Sequence, residues 1–135
     1  MSQDAGIRQL LRRHLPDGDW TSVETGATAG GVPDSNYCFP GGVEGWVEGK
    51  RTLAWRVEIR PLQVSWLSRR SRHGGRCFVM VRRLNRGGDE CYLFHGSRVD
   101  EFSRGGATLK GWACPMWTGG PSAWDWSAIR EMLCS

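Results

Sequence analysis

At 135 residues the chain is sized for a single domain, 1–135, that can bury a core without disulfide staples. Eighteen Lys and Arg against fourteen Asp and Glu give a formal charge of +4, which fits a polyanionic partner, and Lys50 and Lys110 are the only lysines. Arginine's planar fork grips phosphate at two points. Five cysteines, with no C-x-x-C pair, argue against a zinc knuckle and a disulfide framework; Met1 to Leu15 lacks the apolar core of a signal peptide, and no apolar run nears a membrane span, so a cytoplasmic protein with free thiols is expected.

The first predicted element is a helix from about Gln3 to Leu15, with Ile7, Leu10, Leu11 and Leu15 on one face. Pro16 to Gly18 stops it. Trp20 to Thr25 reads as a short strand, and Gly26 to Gly31 as a loop of small residues. Strands follow over Asp34–Phe39 and Gly45–Arg51, joined by a Pro40-Gly41-Gly42 turn. Leu53 to Arg60 reads as an extended arm. Pro61 then opens a helix to Arg72, closed by Gly74-Gly75. Cys77 to Val81 is a continuous apolar run, as in a buried central strand. Asn85 to Asp89 is a turn and Cys91 to Phe94 a further strand. The remainder is expected to be irregular and tryptophan-rich, ending in a short helix from Ser122 to Leu133. This order predicts an α/β (α+β) fold: a mixed central sheet flanked by helices, with a Trp-rich C-terminal extension.

Chemistry concentrates in one string. Pro33-Asp34 precedes one strand, and Glu48-Gly49-Lys50 lies on the next. Alternation along a strand puts Glu48 and Lys50 on one face, and the hairpin lets Asp34 meet Glu48. Two carboxylates held close repel unless a cation sits between them. Oxygen-only ligation by Asp34, Glu48 and the Gly49 carbonyl suits Mg²⁺, with Mn²⁺ able to substitute. A lysine two residues from a metal ligand can orient water or stabilise phosphate charge.

These residues resemble the PD-(D/E)XK nuclease superfamily. Gly31-Val32-Pro33-Asp34, followed by Glu48-Gly49-Lys50, is similar to the motif of virus-type replication-repair nucleases (VRR-NUC-like) and of phage-encoded Holliday junction resolvases. Gln63 lies thirteen residues after Lys50, with Trp66 one turn on, then Gly74-Gly75 and the Cys77 strand. The likeness covers roughly Val23 to Arg83. It implies a restriction-endonuclease-like αβββαβ core and Mg²⁺-dependent cleavage of DNA, branched or duplex; symmetric cutting of two strands would call for a homodimer, with two sites related by a two-fold axis. By position it makes Asp34, Glu48 and Lys50 the catalytic residues and Gln63 the helix glutamine, reaching either the lysine or the DNA backbone. The family's upstream glutamate falls on Glu24, preferred here to Glu44 or Glu58, as a further catalytic and metal-binding residue.

Arg69, Arg70 and Arg72 head the densest basic stretch and are the expected DNA contacts, with a solvated helix face the alternative. His73 suits a helix C-terminus. Trp112, Trp117, Trp124 and Trp126 are expected to pack over the sheet rather than stack on bases. A non-catalytic DNA-binding module on a nuclease fold is the competing reading, and Gly49 within the Glu-x-Lys motif motivates it.

Overall fold

The computed structural model describes residues 6–23 and 30–135. The elements, in chain order, are α1 (Ile7–His14), β1 (Asp19–Ser22), β2 (Ser35–Phe39), β3 (Val43–Thr52), α2 (Pro61–Arg72), β4 (Cys77–Arg83), β5 (Glu90–His95), α3 (Val99–Arg104), β6 (Met116–Trp117) and α4 (Trp126–Cys134). The first six give the order αβββαβ. Among the described residues the strands form one sheet in the order β1-β2-β3-β4-β5-β6. Neighbours run antiparallel except β3 and β4, which pair in parallel from Trp46↔Cys77 to Thr52↔Arg83. A parallel pair cannot be joined by a tight turn, so the connection must cross over, and α2 is that crossover.

Strand alternation sorts the sheet's side chains into two cores. Tyr37, Val47, Phe78, Met80 and Leu93 pack with Ile7 and Leu11 of α1 and Ile129 and Leu133 of α4. Val79, Val81, Tyr92 and Phe94 pack on the other face with Trp66 and Leu67 of α2 and Val99 and Phe102 of α3. Each such side chain, once fully buried, contributes about 1.5–3 kcal/mol. The first core depends on a glycine. Gly45 lies opposite Tyr37, and a Cβ there would sit 2.2 Å from the Tyr37 hydroxyl. That hydroxyl, fully buried, donates to the Leu133 carbonyl at 2.6 Å and ties α4 to the sheet.

Several boundaries differ from the sequence expectation. Helix α1 begins at Ile7, after Gly6 at φ 88°, and Gln3 lies outside the described residues. Strand β1 runs from Asp19 to Ser22, with the pairing continued by Val23 N–H donating to the Asp34 carbonyl at 2.8 Å. The C-terminal region is more regular than expected. It contains α3, whose Val99 and Phe102 share one face, and β6, which extends the sheet. The last helix starts at Trp126 rather than Ser122, because the Asp125 carboxylate accepts from Ala128 N–H at 3.0 Å and caps it there. Pro121–Ala123 form a separate 3₁₀ turn. Trp124 is buried, while Trp112, Trp117 and Trp126 are half-buried against the two cores, so these tryptophans do pack. All five cysteines are free, with Cys77 and Cys91 buried. No helix among the described residues is long and apolar enough to cross a membrane.

Candidate active site

Glu48 and Lys50 lie on the face of β3 that α2 covers, opposite Val79 and Val81 of β4. Both are 5% exposed. The first turn of α2 brings Gln63, 4% exposed, against them. Gln63 Nε2 donates to Glu48 Oε2 at 3.0 Å, and Gln63 Oε1 accepts from Lys50 Nζ at 2.9 Å. Lys50 Nζ is itself 3.6 Å from Glu48 Oε2. The same Gln63 oxygen accepts from Arg60 N–H at 3.0 Å, as the third residue of a capped helix does. One amide therefore starts the helix and joins the two buried charges. The lysine contact expected for Gln63 is present.

Two features bring Asp34 to this group. Gly49 N–H is shared between the two Asp34 carboxylate oxygens at 3.3 Å each. The Asp34 backbone also favours the charged form of the Glu48 carboxylate. The loop that carries Asp34 is set close to α2 by Gly31, at φ 80°, where a Cβ would lie 2.1 Å from the Leu62 carbonyl oxygen. Only glycine fits both the left-handed backbone and that approach. Asp34, Glu48, Gly49, Lys50 and Gln63 are thus brought together. Glu24 lies outside the described residues. Among the described residues no group of three His, Cys, Asp or Glu side chains is placed to hold a metal ion; the acidic pair is Asp34 and Glu48.

Burial sets the electrostatics. Desolvation pushes Glu48 above the usual carboxylate range, and the nearby Lys50 ammonium opposes it. Desolvation likewise pushes Lys50 below its ordinary value, opposed by Glu48 and reinforced by the Arg60 guanidinium. Each charge raises the need for the other, and Gln63 supplies hydrogen bonds to both.

Lys50 also lines a groove of about 380 Å³ with Arg51, Thr52, Leu53, Arg56 and Glu58. Arg51, Arg56 and Arg60 are exposed around the site. Sequence reasoning passed over these three because they lie singly along β3 and the arm rather than in a run. The signal available was that Arg51 directly follows Lys50. Arg69, Arg70 and Arg72 stand at the other end of α2, all exposed, with Arg70 roughly 10 Å along the helix from Gln63. The Arg70 guanidinium lies 4.4 Å over the Trp66 ring, and Arg72 lines a separate groove between α2 and α3. The structure therefore does not bring this trio to the Lys50 groove. His73 caps the C-terminus of α2, its Nδ1 2.9 Å from the Arg69 carbonyl.

Fold and site together define a class: a mixed α+β chain in αβββαβ order, with an acidic residue ahead of β2, Glu-x-Lys on β3 and a glutamine on the crossover helix. No family model matches the chain, and no curated protein does. Solved structures similar to it include a VRR_NUC domain, at 20% identity and a TM-score of 0.46, covering 76% of this chain and 97% of that one. Another is Hjc, a Holliday junction resolvase from the archaeal hyperthermophile Archaeoglobus fulgidus, at 17% identity and a TM-score of 0.45, covering 67% of this chain and 74% of that one.

Proposed function

We propose that this protein is a divalent-metal-dependent endodeoxyribonuclease that hydrolyses phosphodiester bonds in branched or replication- and recombination-related DNA. The observation that carries this reading is the convergence of Asp34, Glu48, Lys50 and Gln63 beside an arginine-lined groove. The donor set fits a hard cation: two carboxylates and the Gly49 carbonyl, all oxygen, with Glu48 desolvated and in need of compensating charge. Asp34, Glu48 and Gly49 would hold Mg²⁺, or Mn²⁺ in its place, and Glu24 is the further ligand that the motif proposes. When bound, such a cation supplies Lewis acidity at the phosphate and makes water easier to deprotonate.

The chain's own residues do the rest. Lys50, at the groove, donates to the attacking water or to the phosphate oxygen on which charge grows. Gln63 fixes the Lys50 ammonium and Glu48 carboxylate relative to each other, so little reorganisation is needed at the moment of reaction. Arg51, Arg56 and Arg60 hold flanking phosphates. Water attacks phosphorus in line, the opposite P–O bond breaks, and the products end in one phosphate and one hydroxyl.

The test is cleavage of a supercoiled plasmid and of a four-way junction with Mg²⁺, comparing wild type with Asp34→Ala and Lys50→Ala. Wild type should cut, and each variant should lose on the order of 10²–10³ in rate. A wild type that cuts nothing, or an Asp34→Ala variant that cuts equally well, defeats the proposal. DNA binding that gains nothing from Mg²⁺ would favour the non-catalytic binding module instead.

A further inference from the structure

The arm between β3 and α2 presents two large apolar side chains to solvent, Leu53 at 77% and Trp55 at 39% exposure. A lone exposed leucine is ordinary. This pair differs in how firmly it is held and in what surrounds it. The arm is pinned to the segment after α3 by Leu109 N–H donating to the Trp55 carbonyl and Val57 N–H to the Ala107 carbonyl, both at 2.8 Å. The Thr52 hydroxyl donates to the Arg56 carbonyl at 2.9 Å and accepts from Ala54 N–H at 3.2 Å, closing the tip from inside. The apolar groups therefore stand on a fixed backbone with many bonds and still face water.

Their surroundings are mostly cationic, with Glu58 the one acidic residue that lines the groove beside Leu53. The Arg83 guanidinium lies 3.7 Å over the Trp55 ring and is held there by Glu90 at 2.8 Å. Arg51 and Arg56 line the same groove as Leu53 and Lys50. An aromatic face backed by a guanidinium, within reach of several more cations, matches a ligand with flat π-faces strung along a polyanion. That ligand is a nucleic-acid strand with unpaired bases. A continuous duplex keeps its base faces inside the stack and offers Leu53 and Trp55 nothing to cover them.

We infer that the Leu53–Trp55 tip is a base-stacking wedge, which docks on an unpaired nucleotide at a branch or fork while Lys50 lies at a phosphate nearby. The inference rests on the nuclease reading and names the substrate that such a nuclease selects: DNA with unpaired bases beside the scissile bond. Leu53 follows Lys50 by three residues, at most about 10 Å of chain, so the cut falls within a few nucleotides of the branch.

The experiment measures binding in EDTA by fluorescence anisotropy, using a flush duplex and a forked DNA with the same number of phosphates. The fork carries 2-aminopurine at its first unpaired position. Wild type should bind the fork about 10-fold more tightly than the duplex and change the 2-aminopurine emission. The Leu53→Ser, Trp55→Ser double variant should lose that preference and that emission change. Both positions are exposed, and an unchanged urea midpoint verifies that the variant is folded. If wild type binds both DNAs equally yet cuts them with Mg²⁺, the wedge is overturned and the nuclease reading stands. A folded double variant that keeps the fork preference also overturns it. If wild type neither binds nor cuts either DNA, both readings fall.

Discussion

Replacing Gln63 with leucine tests whether one amide holds the site together. The change keeps the volume but removes two hydrogen bonds to buried charges and one to the Arg60 N–H. Hydrogen bonds to charged groups contribute about 1.5–3 kcal/mol each, and losing the helix-start contact costs about 1 kcal/mol. Against this, Lys50 Nζ already lies 3.6 Å from Glu48 Oε2 and can close to a direct pair, and the leucine adds apolar burial of about 1.5–3 kcal/mol. The expected net loss is about 3 kcal/mol, roughly 10 °C in Tm for a chain of this size. Urea unfolding at neutral pH reads it directly. A buried ionic group replaced as a whole is often neutral or stabilising, whereas breaking it in part is costly. The triple variant Glu48→Leu, Lys50→Met, Gln63→Leu should therefore be more stable than Gln63→Leu alone. The reasoning is refuted if Gln63→Leu matches wild type within about 0.5 kcal/mol, or if the triple variant's loss equals the sum of the three single losses.

Gly31→Ala should cost more than about 2 kcal/mol in urea unfolding, since φ 80° and the 2.1 Å approach to Leu62 both resist a Cβ, and cleavage should fall with it as the Asp34 loop is displaced from α2. Arg51→Gln and Arg56→Gln should each weaken binding to duplexes of any sequence and lower the slope of log affinity against log salt by about 1; an unchanged slope would remove that arginine from the phosphate path. Asp17 is held below the usual carboxylate value of 3.8 by its hydrogen bond from Arg130. Its folded value is depressed, so its contribution is present above pH 3.8 and lost as pH falls through the folded value. The small gap in urea midpoint between wild type and Asp17→Asn should accordingly be seen at neutral pH and close in acid.

The order of the first six elements was readable mainly from punctuation: Gly41-Gly42 before β3, Pro61 and Gly74-Gly75 around α2, and the continuous apolar run of β4. The placement of Glu48 and Lys50 on one face follows from strand alternation alone, whereas Gln63 was singled out by the family resemblance and not by its position in the helix pattern. What escaped the sequence lies where elements are short or where contacts are distant. Helix α3 has a single apolar pair, Val99 and Phe102, too little to establish a period. Strand β6 is two residues long and exists because β5 offers it an edge. The start of α4 turned on the Asp125 cap, which outweighed the apolar pattern before it. The basic groove was missed for a different reason. A run such as Arg69 to Arg72 is conspicuous in a sequence, yet the groove beside Lys50 takes Arg51 from the end of β3 and Arg56 from the arm, single positions that form no run.

The separation along the chain of the contacts at the site and at Tyr37 has a consequence for how it folds. Asp34, Glu48, Lys50 and Gln63 lie within a hairpin and the helix that follows it, whose contacts close short loops, while the Tyr37 hydroxyl reaches Leu133 across 96 positions. Loop closure costs entropy that grows with the logarithm of length. Strands β2 and β3 with α2 therefore form the natural nucleus, and α4 is a late addition that locks the opposite face. Kinetically, substitutions at Gln63 should slow folding, whereas loss of the Tyr37 hydroxyl should chiefly quicken unfolding.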